Sequence, residues 1–342
     1  MSIYIYQVNQ NAAQGDNMSI NYHDVADASQ RLRGKTKLTP VLQSKVLSQI
    51  AGYNIFSKAE CLQHTGSFKY RGAYNRLSAM SADERANGVV AFSSGNHAQG
   101  VARAAKELGI DAIIVMPSDA PKVKVDGVLA DGARIHSYDR MTESREKIAA
   151  DISARDGRIV VPSFDDLYII AGQGTAGIEL AKQCEEMHIT LDALIICLGG
   201  GGLCAGISTA FKHLSPHTKI FGAEPADYND HQMSLSYGNR VTLISPPPTL
   251  CDALMTPQPG ALTWPINSKN LSGVCTVTDE ECLMTMKLAK QRLGVTLEPG
   301  GSVALTAALS GRFNSFGDFA NVGVILSGGN VDPDVMARAM AM

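Results

Sequence analysis

The sequence has no CxxC pair. Its seven cysteines (Cys61, Cys184, Cys197, Cys204, Cys251, Cys275 and Cys282) are scattered and odd in number, which disfavours both a disulfide framework and a zinc site. Basic residues are not in surplus: the formal net charge is -3, so the composition gives no support for contact with a phosphate backbone. Nucleic acid is therefore not an expected partner. Long apolar runs are missing too. The opening stretch, MSIYIYQVNQNAAQGDNMS, lacks the basic flank and apolar core of a signal peptide, and no later segment is apolar for long enough to span a bilayer. These absences leave a cytoplasmic protein, away from membranes, whose expected partners are small molecules.

What is present is a long chain of ordinary globular composition. At 342 residues, 45% hydrophobic and 18% charged, it exceeds a usual single domain and has ample material for a core. Residues 1–18 are polar and aperiodic and read as a loose extension. Beyond them short apolar runs alternate with helical patterns. AGYNIFSKAE precedes a helix from Ser67, GVVAFSS a helix over 96–108, DAIIVMP a helix near Lys122, and ARIHSY a helix from Thr142. The second half continues with GRIVVPSF, a helix over 172–187, LDALIICLGG, a helix over 202–213, TKIFGAEP, a helix over 279–293 and the strand VGVILSGGN. Short apolar runs that each enter a glycine-rich turn and a helix predict parallel strands covered on both faces, and so an α/β class.

The run Gly199-Gly200-Gly201-Gly202 follows the strand DALIICL and opens a helix. Several backbone N–H groups can converge there at a helix N-terminus, an arrangement suited to an anion and above all to a phosphate. By itself the run also reads as a tight strand-to-helix turn. A third reading is dinucleotide binding, because Gly200-x-Gly202-x-x-Ala205 fits that fingerprint and Glu224 closes the next strand at the spacing of a ribose-binding acid; NAD would then be the ligand. Against it, several strand–helix units with glycine loops of their own precede the motif.

Those other loops carry a resemblance. The segment His64-Thr65-Gly66-Ser67-Phe68-Lys69-Tyr70-Arg71-Gly72-Ala73 resembles the Schiff-base motif of the pyridoxal 5'-phosphate (PLP) family that contains serine and threonine dehydratases and serine racemase. Ser93-Ser94-Gly95-Asn96-His97 resembles that family's loop beside the cofactor ring, the tetraglycine turn resembles its phosphate cup, and Ser327-Gly328-Gly329-Asn330 resembles its pyridine-nitrogen loop. All four stand in the family's order, and the resemblance covers about residues 20–335. It implies the two-domain PLP-dependent fold type II, tryptophan synthase β-like, each domain a mostly parallel twisted sheet flanked by helices. The large PLP-binding domain would comprise 19–80 and 165–342, and a small mobile domain 81–164. A homodimer is implied as well.

Each position also makes chemical sense without the family. Lys69, at a helix start between Phe68 and Tyr70, sits where the helix dipole and partial burial lower an amine's pKa, and only a neutral amine can form an imine. The expected cofactor contacts are Phe68, Lys69, Asn96, Gly199, Gly200, Gly201, Gly202, Leu203 and Ser327. A hydroxyl at Ser327, rather than a carboxylate, leaves the pyridine nitrogen largely unprotonated, which disfavours transamination and suits expulsion of a leaving group from Cβ. The helix start at Ser93, Ser94, Gly95, Asn96 and His97 suits a substrate carboxylate.

The reaction the resemblance implies is that of an ammonia-lyase. Lys69 removes the Cα proton of a small L-β-hydroxy amino acid of the threonine or serine type, and the products are a 2-oxo acid and ammonia. Ser94, facing Lys69 across the substrate, could reprotonate Cα from the other side, so serine racemisation is the alternative. Arg145 aligns with the family position that approaches the substrate side chain; a guanidinium there would bind a β-carboxylate bidentately, as in 3-hydroxyaspartate. A β-aryl serine also stays open. Glu224, in this reading, becomes the first ligand of a divalent cation, with Asp230 and the carbonyl of Tyr228, a set that suits Mg2+ or Ca2+.

Overall fold

The computed structural model describes residues 6–8 and 19–342 apart from Ser94 and Pro121, with backbone alone at 6–8 and at Val123. Ser94 and most of the stretch 1–18 thus lie outside the described residues. The strands, in chain order, are β1 (Tyr6–Val8), β2 (Val41–Leu42), β3 (Asn54–Lys58), β4 (Val89–Phe92), β5 (Ala112–Pro117) and β6 (Arg134–Tyr138). There follow β7 (Ile159–Val160), β8 (Ala193–Cys197), β9 (Lys219–Pro225), β10 (Val241–Leu243), β11 (Leu271–Val277) and β12 (Asn321–Ile325). Every residue of β5 and of β8 is buried, as expected of strands with helices on both faces.

Six strands form the larger sheet in the order β11-β9-β8-β12-β3-β2, parallel throughout except for β2 at the edge. Four form a smaller, all-parallel sheet, β6-β5-β4-β7. The class is α/β with mostly parallel sheets, as the alternation of patterns suggests. Within the stretch 1–18, Tyr6–Val8 pair antiparallel with β10, where an edge strand offers open N–H and C=O groups. None of the described helices is long and apolar enough to cross a membrane.

The topology gathers the loops. Strands β8, β12 and β3 are neighbours, and the chain leaves each at the same end of the sheet, delivering the glycine turn, the Ser327 loop and the Lys69 segment side by side. The Ser93–His97 turn arrives from β4 of the other sheet.

Behind Lys69 lies a buried ionic network. Arg71 is fully buried on the helix Lys69–Ser78. Its Nε and Nη2 donate to Glu60 at 2.7 and 2.9 Å, and its Nη1 and Nη2 donate to Glu179 at 2.7 Å each. Lys58 at the end of β3 adds a 2.7 Å bond to Glu179. Four charges that satisfy one another in this way avoid the penalty of an isolated buried ion. Replacing Arg71 with Met should leave Glu60 and Glu179 without their shared cation and cost about 3–5 kcal/mol. Urea unfolding of the variant measures this; a change below about 1 kcal/mol would show that the network is not structural.

Candidate active site

After β3, two short 3-10 turns, Glu60–Leu62 and His64–Gly66, bring the chain to Lys69, the first residue of its helix. Ser67 bridges Gly328, and the Phe68 N–H donates to the Ser327 carbonyl at 3.1 Å, so two of the four motifs are joined through backbone. Lys69 Nζ donates to the Ser163 carbonyl at 2.7 Å. Burial pushes its pKa down to about 8, against the opposing pull of Cys197 and Glu298.

The glycine turn is held from behind by its carbonyls. Thr263 Oγ1 and the Gly260 N–H donate to Gly200, and Asn267 Nδ2 donates to Gly201 at 3.1 Å. Gly201 caps the helix Gly202–Leu214 at φ 90, and a Cβ at Gly200 would run into the Phe164 ring. Only glycine meets both demands. The turn and Leu203 line a small cavity of about 80 Å³ together with Phe68, Lys69 and Ser327. Gln173, buried on the same cavity, has neither side-chain polar atom bonded among the described residues.

Asn96 begins the helix Asn96–Leu108; its Nδ2 donates to Glu298 Oε1 and its Oδ1 accepts from Asn330 at 2.7 Å. His97 faces Val161, its Nε2 2.9 Å from that carbonyl, and burial followed by the Lys69 charge pushes its pKa down to about 3, so the imidazole is neutral. Ser93 Oγ accepts from the Gly95 N–H at 3.2 Å. A larger cavity of about 460 Å³ is lined by Lys69, Ser93, Gly95, Asn96, His97 and Arg145. Arg145 is half-exposed on its wall, its guanidinium 5.7 Å from the centre of the Phe92 ring and 2.8 Å from Glu146.

Several lining residues escaped the sequence reading. Glu298 is fully buried in both cavities, and burial, then the Asp252 charge, pushes its pKa up to about 7. Its one clue was an acid standing in the apolar segment LEPGGSVALTAAL. Arg240 also lines the larger cavity and donates to the Pro259 carbonyl and Gln258 Oε1, both uncharged. Lys124 reaches from the helix Lys122–Ala130 to Asp252 at 2.8 Å.

Glu224 and Asp230 are brought together, both fully buried, with the 3-10 turn Ala226–Tyr228 between them. Neither side chain lines either cavity. His231, which the sequence reading passed over, joins them: one donor atom from each of the three residues fits within 4.8 Å.

Residues 32–328 match the family described as pyridoxal-phosphate dependent enzyme. The chain belongs to that family. L-threo-3-hydroxyaspartate ammonia-lyase of Pseudomonas sp is 43% identical over 320 residues, 94% of this chain and 98% of that protein. Serine racemase of Schizosaccharomyces pombe is 40% identical over 327 residues, 95% and 99% of the two chains. The crystal structure of serine racemase from Dictyostelium discoideum superposes with a TM-score of 0.84 at 37% identity, covering 92% of this chain and 99% of that one. The dinucleotide reading gives way, and Glu224 faces Asp230 and His231 rather than a ribose.

The residues present fit PLP. A lysine of lowered pKa, a glycine turn at a helix N-terminus beside an unpartnered buried amide, and the Ser327 hydroxyl share one cavity. With Lys69 titrating near 8, its neutral fraction rises with pH through that value. Covalent capture of PLP by the apoenzyme should accordingly quicken from pH 7 to about 8.5 and level off above, as followed by stopped-flow absorbance and lost in Lys69→Ala. A rate that keeps climbing towards pH 10 would mean an ordinary lysine.

Proposed function

We propose that this PLP-dependent enzyme is a carbon–nitrogen lyase that dehydrates a small L-β-hydroxy amino acid whose Cβ carries a carboxylate, of the 3-hydroxyaspartate type. The observation that carries the substrate choice is Arg145 on the wall of the cavity that also holds Lys69 and Asn96. A guanidinium there pairs with a carboxylate in two parallel bonds, whereas a methyl or hydrogen at Cβ gains nothing from it. The names of two relatives at 42% and 43% identity, both L-threo-3-hydroxyaspartate ammonia-lyases, support the same choice.

Bound PLP supplies an electron sink for the pair left at Cα when its proton departs. Lys69 would take that proton, its pKa of about 8 making the neutral amine available near physiological pH. Gly199 to Leu203 would hold the cofactor phosphate by backbone N–H groups, and Phe68 and Asn96 would flank the ring. The N–H groups of the helix start from Ser93 to His97 would hold the substrate α-carboxylate. Ser327, with a hydroxyl at the pyridine side, directs the chemistry to β-elimination. Ser94, assigned by its motif, would supply the second-face proton for any racemisation. A divalent cation would be bound by Glu224, the carbonyl of Tyr228 and Asp230.

Residues 81–164 would form the small domain, moving against 19–80 and 165–342. The Lys124–Asp252 contact at 2.8 Å joins the two across the cavity and supports closure.

Arg145→Gln should lower kcat/KM for L-threo-3-hydroxyaspartate by about 10- to 100-fold, the worth of a charge-assisted pair, and leave L-serine nearly unchanged. A wild-type enzyme that turns over serine or threonine more efficiently than hydroxyaspartate would sink the substrate assignment. Ser94→Ala should abolish L-to-D conversion and elimination from D-substrates while L-dehydration stays measurable by ammonia release. Loss of both together would place Ser94 in the loop's architecture instead.

A further inference from the structure

His231 sits between the two carboxylates of the pair. Its side chain is fully buried. Nδ1 lies 3.2 Å from Glu224 Oε1 and 3.3 Å from Asp230 Oδ2, within ion-pair reach of both carboxylates when the ring is protonated, so that a bound cation would take the place of that proton. Neither oxygen of Asp230 has a hydrogen-bond partner among the described residues. Glu224 is oriented by backbone, its two oxygens accepting from the N–H groups of His231 and Gln232 at 2.9 and 3.1 Å.

Glu224, Asp230 and His231 each offer a ligating atom within 4.8 Å of the others, so the three surround a common point. Adjacent ligands of a cation bound at about 2.1 Å stand about 3 Å apart. The separations here, 3.2 and 3.3 Å, are close to that spacing. Buried carboxylate oxygens left without donors are destabilised unless something positive completes them, and a cation shared by the three groups would do so.

We propose that His231 is a ligand of this site through Nδ1, and that its nitrogen turns the site from Mg2+ or Ca2+ towards a first-row transition dication such as Mn2+, Co2+ or Zn2+. The inference rests on the cation-site reading above and changes which ion it takes. Two carboxylates and a carbonyl are hard donors that suit Mg2+ and Ca2+, while imidazole favours the later first-row ions. The far side of the ring is fixed too. Nε2 lies 3.4 Å from Asn267 Nδ2, whose amide also holds the Gly201 carbonyl, and a Cβ at Gly201 would be 2.8 Å from Nε2. Such outer contacts set the orientation of a histidine ligand. Here they also make the glycine turn and the cation site neighbours through one imidazole.

The test uses the untagged holoenzyme with Mn2+ as probe. Titration by electron paramagnetic resonance should show one tight Mn2+ that Glu224→Gln abolishes, and electron spin echo modulation should show coupling to an imidazole nitrogen. His231→Ala should keep the ion, lose that nitrogen signal, and shrink the preference for Mn2+ over Mg2+ by about 10- to 100-fold in calorimetry. Bound Mn2+ that Glu224→Gln removes but that shows no nitrogen coupling in the wild type overturns the ligand assignment and leaves the cation site standing. Failure of Mn2+ to bind, or binding indifferent to Glu224→Gln, overturns the cation site and this inference together. Because the nitrogen signal is read on the wild type, poor folding of the alanine variant does not remove the test.

Discussion

Arg71 ties three elements to one point, and Lys69 is two residues away. A guanidinium with no solvent contact must find carboxylates in its own plane, and it finds Glu60 after β3 and Glu179 on the helix Leu167–Glu186. The start of the helix Lys69–Ser78 therefore cannot shift relative to the larger sheet without uncovering a buried charge. The same two helices meet closely: a Cβ at Gly172 would lie 2.7 Å from the Arg71 carbonyl and 2.8 Å from the Gly72 Cα. Backbone contact at such a crossing fixes depth as the ion pairs fix register.

Given that anchor, the placement of the other motifs follows from parallel topology. Because β8, β12 and β3 are consecutive in the sheet, their exit loops are separated by only one strand spacing each, about 5 Å. Backbone hydrogen bonds then close the remaining gap, from Phe68 to Ser327 and from Gly329 to Gly66. The Asn96 turn, from the second sheet, is joined to them through side chains, Glu298 and Asn330. The site is thus built half by backbone pairing within one sheet and half by side-chain bonds to a loop of the other.

This division also explains what could be read from the sequence. The four loops were legible because each is contiguous and each follows an apolar strand, so glycine and small polar residues announce the turn locally. Boundaries were less so: the helix expected from 172 begins at Leu167 because Asp166 caps it, its side chain accepting from the Ile169 N–H. The edge strand β11 was missed, since Gly273 and a register shift interrupt its pattern. Glu298, Gln173, Arg240 and His231 were invisible for another reason. Each is a single residue outside any motif, so only the packing of several chain segments around it reveals its surroundings. The Glu224–Asp230–His231 cluster was half legible, because its carboxylates follow a spacing while His231 differs from any other histidine only by where its ring is buried.

The charged side chains that line the cavity are mostly held by one another or by backbone. Its acids are all committed: Asp165 accepts from the N–H groups of Ala261 and Leu262, Asp252 from Lys124, and Glu146 from Arg145. Glu298 is raised to about 7 by burial, so near neutral pH it is about half protonated and presents little more than half a charge. On the other side, Arg240 donates to two uncharged oxygens and forms no ion pair among the described residues, and the pair of Arg145 with Glu146 is solvent-exposed, where such pairs contribute little. Four cationic side chains (Lys69, Lys124, Arg145 and Arg240) thus face four acids (Glu146, Asp165, Asp252 and Glu298), and Arg145 and Arg240 are the cations least neutralised by a buried acid.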